Sequence, residues 1–385
     1  MGAHSPCEGE ELVEGEVGAR QCAGSMNDLS RASRPVLDRS DLLLLGGSAV
    51  AIVLAGIATF AGAPSVLTFV LAAVAVALLA ALVGRSVEQL GDRFGAGATG
   101  VLQSALGNLP ELFIGFFALR AGLVAVVSAA IIGSILSNAL LVLGLAFVVG
   151  GLRHGEQRFD ASRARWLAAL MILMVAAMVL PGIAASVHAP AAGHERELSV
   201  IVAVVLLTVF ALSLPASLAR SEGTEGMPTE APRWPLWLAV SVLAASSVAA
   251  AFVSDWFVQA LTPAMNALGI SQAFAGLVVV AIAGNAIENV VGIQLAARNQ
   301  ADYALSVIVN SPLQIALVLA PVLVLIGGLA GGAVFTLVFS PMLMASVALT
   351  MVAVTFIIFD GRSTWLEGVA LIALYVVIAS TFWWG

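Results

Sequence analysis

From about residue 41 onward the chain is a succession of apolar stretches separated by short polar breaks. Each stretch is roughly 20 residues long, the length an α-helix needs to cross about 30 Å of hydrocarbon. The pattern predicts eleven spans, near 41–61, 64–84, 99–119, 123–149, 164–187, 199–219, 234–254, 270–297, 301–326, 333–359 and 364–384. Ahead of them, Met1 to about Ser40 is polar, with Glu8, Glu10, Glu11, Glu14 and Glu16 in one run and no apolar core of signal-peptide type. Residues 1–40 therefore read as a disordered cytoplasmic tail.

Composition fixes the class. Hydrophobic residues make up 61% of the chain and charged residues only 10%, against roughly a quarter charged in soluble domains. With a mean hydropathy of +1.05, the chain reads as an all-α integral membrane protein whose partner is the lipid bilayer. The net charge of -7 lies mostly in tail and loops and offers nucleic acid no basic surface. Cys7 and Cys22 both fall in the tail, so no disulfide framework is expected.

All 16 basic residues are arginine, and their distribution orients the spans. With the N-terminus inside, Arg120 and Arg196 alone fall outside, and the rest lie in the tail and the cytoplasmic loops. The bias predicts N-in and, for an odd number of helices, C-out, in a membrane of the bacterial inner (plasma) type. The end Thr381-Phe382-Trp383-Trp384-Gly385 suits an interfacial aromatic anchor on the far side.

Two of the spans are interrupted by the same polar pattern, Gly107-Asn108-Leu109-Pro110-Glu111 and Gly284-Asn285-Ala286-Ile287-Glu288. At a constant offset of 177 residues, Gly115 matches Gly292, Ile131 matches Ile308, Ser134 matches Ser311, Leu136 matches Leu313, and Ala139-Leu140 matches Ala316-Leu317. Each copy is a helix with a buried Glu, a short loop, and a second helix with a buried Ser. The motif helices are the third and eighth spans, so they cross in opposite directions. The chain thus divides into a first helix (41–63), a five-helix repeat (64–219), a cytoplasmic linker (220–233) and an inverted second repeat (234–385). Inverted repeats are the usual architecture of secondary transporters, with the site near the midplane where the halves meet.

A carboxylate at hydrocarbon depth is costly and marks function. Glu111 and Glu288 are the candidate metal ligands, and Asn108 and Asn285 lie about one turn away. Gly107, Pro110 and Gly284 weaken the helices there and free backbone carbonyls. The following helices add Ser134, Ser137 and Asn138, then Ser311 and Gln314. Every candidate donates oxygen, as a hard cation such as calcium requires. His4, His154, His188 and His194 fall in tail or loops, which argues against a zinc site. Protons compete with metal for the same two carboxylates, because burial disfavours a charged carboxylate that lacks a cation. If the empty, doubly charged site cannot change access, the halves rock only when loaded, which is antiport.

At these residues the chain resembles the calcium/proton exchanger (CAX) family of the calcium/cation antiporter superfamily. The resemblance is carried by Gly107-Asn108-Leu109-Pro110-Glu111-Leu112, by Gly133-Ser134-Ile135-Leu136-Ser137-Asn138-Ala139-Leu140-Leu141-Val142-Leu143-Gly144, by Gly284-Asn285-Ala286-Ile287-Glu288 and by Ser311-x-x-Gln314-Ile315-Ala316-Leu317. It runs from about Glu88 to Gly328 and implies eleven helices and exchange of cytosolic Ca2+ for H+, with the two motif glutamates as shared ligands. The chain departs from the family pattern at Asn289, where a His is common, at Asn310 and at Pro312. Cation selectivity and proton coupling are the properties those departures touch.

Glu88 and Asp92 before the first motif helix, and Asp255 after the seventh span, are candidates for cation-attracting vestibules. Ordinary interfacial pairing with Arg85 or Arg93 is the competing reading. A sodium-coupled or broader divalent cation exchanger and a passive cation channel use the same ligands, and the sequence leaves them open. An enzyme is not expected, since the spans bring no nucleophile and base together. Nor is a cofactor expected beyond the transported Ca2+ and H+, and the chain carries no signature of an oligomeric state.

Overall fold

The computed structural model describes residues 36–94, 102, 106–221, 233–328 and 332–384, apart from the side chains of Asp92, Phe94, residues 214–221, Ile287 and Glu288. Most of the tail and of the linker lies outside the described residues. What is described is almost entirely helical, as hydrocarbon demands of a backbone with no water to bond. In chain order the helices are α1 (Arg39–Phe60), α2 (Ser65–Phe94), α3 (Leu109–Arg120), α4 (Val124–His154), α5 (Ala161–Ser186), α6 (Glu195–Ser221) and α7 (Leu236–Leu268). Then follow α8 (Gln272–Gly284), α9 (Ala286–Ala297), α10 (Ala301–Gly327), α11 (Pro341–Ile358) and α12 (Trp365–Thr381). Two short strands, β1 (Gln157–Arg158) and β2 (Arg362–Ser363), pair antiparallel.

Among the described residues, eight helices are long and apolar enough to cross a membrane, and nine spans result if the bent pair α8 and α9 counts as one. That pair is bent by 61° at its break. Helix α12 is shorter, at 17 residues, and α3 begins only after the first motif's turn. Several expected boundaries move: α2 runs past 84 to Phe94, which puts Glu88 and Asp92 inside it, and α11 begins at Pro341 rather than 333. The seventh span does not end before Asp255: α7 continues unbroken to Leu268, where Gly269 takes the left-handed conformation (φ 66°) that closes the helix. Asp255 is a mid-helix residue because the run after it, with Phe257, Val258, Ala260 and Leu261 buried, keeps a helical apolar stripe.

Contacts at the helix ends sort the turns into two faces. At one, the Gln157 side chain donates to Ala296 O (3.2 Å), the Asp160 amide donates to Asp302 Oδ1 (2.7 Å), and β1 meets β2. At the other, the Ala333 amide donates to Leu119 O (3.0 Å), and the rings of Phe274 and Trp383 meet edge to face at 4.6 Å. A polar corner anchors α1. Buried Asp41 accepts from Arg85 Nε and from Trp234 Nε1, both at 3.1 Å, while Arg233 pairs with Asp38 at 2.7 Å.

Three helices carry a π turn, in which the backbone bonds i to i+5: Ser137–Val142 in α4, Ala275–Val280 in α8 and Ile315–Leu319 in α10. Such turns concentrate at functional positions. Where α4 crosses α8, Gly133 lies against the Leu277 backbone and Gly276 against Val126 O and Ala129. Any side chain at Gly133 would strike main chain that cannot move aside. The crossing brings the two motif regions face to face.

Candidate functional site

Each motif interrupts its helix at the asparagine. Asn108 (φ -94°, ψ 16°) precedes α3 and Asn285 (φ -91°, ψ 20°) separates α8 from α9, two nearly identical backbone breaks. At the first break, Gly107 and Asn108 form a turn, and Pro110 occupies the first turn of α3, where its missing N–H removes no helical bond. At the second, Gly284 lets the opposite helix in. A Cβ there would lie 2.5 Å from Glu111 Cγ and 2.7 Å from Glu111 Oε1, so the position admits only glycine without displacement.

The side chains converge on Asn285, which is fully buried. Its Nδ2 donates to Glu111 Oε1 (2.6 Å), Ser134 Oγ (2.9 Å) and Ala281 O (2.9 Å). Its Oδ1 accepts from Asn138 Nδ2 (2.8 Å) and Ser311 Oγ (3.1 Å). Ser134 Oγ donates to Glu111 Oε1 at 3.0 Å, and Asn138 Nδ2 also reaches Ser134 O at 3.0 Å. Because Ala281 O and Ser134 O only accept, they fix which way both amides face. Five of the sequence candidates, Glu111, Ser134, Asn138, Asn285 and Ser311, thus form one buried network from α3, α4, the α8–α9 break and α10.

The others lie around it. Asn108 Nδ2 and Gln314 Oε1 make a second contact across the halves at 3.4 Å. Ser137 sits in the π turn of α4 beside the buried Tyr375 hydroxyl, and Asn138 Oδ1 is buried with no hydrogen-bond partner among the described residues. Glu288 lies in the first turn of α9, its side chain outside the described residues. Of the vestibule candidates, Glu88 is held by Arg85 at 2.7 Å, and Asp255 accepts from Gln259 at 2.7 Å. Neither lines the cavity described next. Asp92's side chain is outside the described set.

A cavity of about 20 Å³ reaches the network. That is room for one or two waters. Glu111 and Ser134 form its polar end, and Ile114, Gly115, Ala118, Val126 and Leu323 are among its apolar walls. It runs between α3 and α4 toward the face of the turn at 120–123. Sequence reasoning missed Asn285's place at the hub, the Ala281 carbonyl and the apolar wall. Only the match of Gly115 with Gly292 between the repeats pointed to that wall.

Comparison with known proteins gives the family. The family model for the sodium/calcium exchanger protein matches residues 64–219 and 238–384. The chain belongs to that family. It is a family of transporters, and the branch that the motifs resemble, the calcium/proton exchangers, is where the relatives fall. The chain is 37% identical over 338 residues to a Ca(2+)/H(+) antiporter of Synechocystis sp., covering 82% of this chain and 90% of that one. It is 34% identical to the Ca(2+)/H(+) antiporter ChaA of Bacillus subtilis, over 83% and 92% of the two chains. The solved structure of native YfkE superposes with a TM-score of 0.76 at 30% identity, covering 88% of this chain and 99% of that one. An H+/Ca2+ exchanger CAX structure shares the fold, with a TM-score of 0.68 at 17% identity over 89% and 91% of the two chains. The chain is therefore an integral membrane transporter.

Proposed function

We propose that this protein exchanges Ca2+ for H+ across a membrane by alternating access, with Glu111 and Glu288 binding cation or protons in turn. The observation that carries the reading is the buried network around Glu111, in which a carboxylate, two amides and two hydroxyls from both halves converge and every side chain offers oxygen. Hard divalent cations take such ligands. Ser137, Asn108 and Gln314 extend the set, and Gly107 and Gly284 supply the breaks that let carbonyls and side chains approach. Asn285 now turns its Nδ2 toward Glu111. A cation beside that carboxylate is served by the opposite end of the same amide, so rotation of Asn285 would link occupancy to the contacts with Asn138 and Ser311.

The architecture in this reading is eleven helices, namely the eight apolar helices, the bent pair, α12, and a third span that contains α3. The division is a first helix, repeats over 64–219 and 234–385, and a linker between them. Four features support a twofold-related inverted repeat. Asn108 and Asn285 share one backbone conformation. The π turns of α4 and α10 fall at matching positions. Helix α2 packs on α7, its counterpart, and α5 packs on α11, its counterpart. The family model takes the chain in two segments with nearly these bounds. The arginine bias places the N-terminus inside and the C-terminus outside, and the Synechocystis and Bacillus relatives fit a bacterial plasma membrane.

The test is Ca2+ uptake into vesicles reconstituted with the purified protein, driven by an opposing pH gradient. Uptake should stop in Glu111→Gln and in Glu288→Gln, and proton efflux should stop with it. Uptake driven equally well by a sodium gradient would replace the proton by sodium as the coupling ion. Flux without proton movement would make the protein a channel.

A further inference from the structure

The two motif helices end alike, and their ends are held by different chemistry. Leu119 and Ala296, equivalent at the offset of 177 residues, stand at the C-terminal ends of α3 and α9. The last carbonyls of a helix have no partner within it and take one from outside. In each case that partner comes from where the Ser-bearing helix of the other repeat ends. On α3 the donor is main chain, the Ala333 amide to Leu119 O at 3.0 Å. On α9 the donors are side chains from the end of α4: Gln157 Nε2 reaches Ala296 O at 3.2 Å, and His154 Nε2 lies 3.0 Å from Ala297 O. Gln157 is buried, its amide in the space that a Cβ on Gly150 would fill. Ala297 O accepts from no backbone amide among the described residues.

His154 is exposed, on the face where the arginine bias puts the cytoplasm. A carbonyl oxygen only accepts, so Nε2 must carry a proton in this contact, either as the neutral ε tautomer or as the imidazolium. The imidazolium also sets a positive charge against the negative end of the helix dipole. Histidine makes that change of charge between about pH 5 and 8. The carboxylates of the surrounding elements are engaged elsewhere. Glu156 pairs with Arg158 (3.3 Å) and Arg362 (3.7 Å), Asp160, Asp302 and Asp360 accept from backbone amides, and Glu367 caps α12. Arg153 on α4 and Arg298 just after α9 make no ion pair among the described residues. Arginine keeps its charge throughout this pH range, so these two add no switch of their own.

Helix α9 is 12 residues long, a rod of about 18 Å with Glu288 in its first turn and Ala297 as its last residue. Whatever fixes the last turn therefore bears on the first. We propose that His154, seated beside Gln157, is a positioning residue of the exchange site. It clasps the C-terminal end of α9 and tightens when protonated, which holds the Glu288 helix in the arrangement where Asn285 Nδ2 faces Glu111 (2.6 Å) rather than a cation. Its consequence for Ca2+ rests on the exchange reading; the clasp itself does not.

The test uses the full-length protein in detergent at about pH 5.5 and about pH 7.5, on either side of the histidine transition. His154→Gln keeps a neutral donor, and His154→Arg carries a permanent charge. Hydrogen–deuterium exchange of the amides at 295–301 reads the clasp, and calorimetric titration with Ca2+ reads the site. A charge at a helix C-terminus shifts such an equilibrium by roughly two- to fivefold. His154→Gln should match the parent at the higher pH. At the lower pH it should exchange faster by that factor and bind Ca2+ more tightly by a similar one. His154→Arg should match the parent at the lower pH, and at the higher pH exchange more slowly and bind Ca2+ more weakly. Proton competition at the glutamates acts on parent and variant alike and cancels in each ratio. The turn at 120–123, next to the end that main chain holds, is the control and should exchange equally in all three. Coincidence of His154→Gln with the parent at both pH values would overturn the proposal. So would altered protection with unaltered Ca2+ affinity, which would leave His154 a structural clasp only. A parent that binds no Ca2+ would refute the exchange reading and the positioning role with it, while the protection ratios would still decide the clasp. Should His154→Arg fail to fold, the ratio of His154→Gln to parent decides alone.

Discussion

Replacing Gly284 by alanine tests the network where it is tightest. The added methyl would lie 2.5 Å from Glu111 Cγ and 3.0 Å from its Cδ. Carbon atoms rest about 3.5–4.0 Å apart, so the carboxylate must retreat by roughly 1 Å. The bonds it holds to Asn285 Nδ2 and Ser134 Oγ are 2.6 and 3.0 Å long, and a retreat of that size takes at least one beyond bonding range. A hydrogen bond to a charged group contributes about 1.5–3 kcal/mol, and every 1.4 kcal/mol is about tenfold in affinity. If Glu111 holds the cation, displacing its carboxylate by this amount makes Gly284→Ala weaken Ca2+ binding by roughly tenfold to a hundredfold. The assay is the Ca2+ dependence of uptake into vesicles under a fixed pH gradient, with thermal unfolding in detergent to show that the fold survives. Gly46→Ala is the control, since nothing lies within 4 Å of a Cβ there. A Gly284→Ala protein that folds and keeps its Ca2+ affinity within about threefold of the parent would refute the placement of Glu111 at the site.

Other outcomes follow from the same contacts. Asn285→Leu leaves Glu111, Ser134, Asn138 and Ser311 without their shared partner. With orphaned buried groups costing about 1–3 kcal/mol each, unfolding of that variant should begin several degrees lower in a detergent melt. Gly133→Leu sets a side chain against the Leu277 backbone and should yield little monodisperse protein on size exclusion. The Arg233 guanidinium and the Arg39 amide hold the Asp38 carboxyl below the usual carboxylate value. A depressed folded pKa gives stability that is present above the unfolded value of about 3.9 and is lost as pH falls through the folded one. Asp38→Asn should therefore be slightly less stable than the parent at neutral pH and converge with it below about pH 4, which flattens the acid limb of a stability–pH profile.

The sequence alone was enough for the class, the helical character and the motif residues. Each follows from local physics. Twenty apolar residues suffice to span hydrocarbon, and a Glu within such a run stands out because burying it is costly. The offset of 177 residues likewise shows the pairing of Asn108 with Asn285 before any coordinate does. Tertiary structure decided which polar atoms meet. Asn285 reaches Glu111 across 174 residues and Asn138 across 147, through a helix crossing that depends on Gly133 and Gly276 lying flat against opposing backbone. Hydropathy has no access to such a crossing, because it scores each residue's transfer from water and not the partner it meets. For the same reason the seventh span looked finished at Asp255: a charge lowers the local average, but the buried face of α7 continues to Leu268. Which side of Glu111 holds the cavity is also a property of packing, set by how α3, α4 and α10 lean on one another.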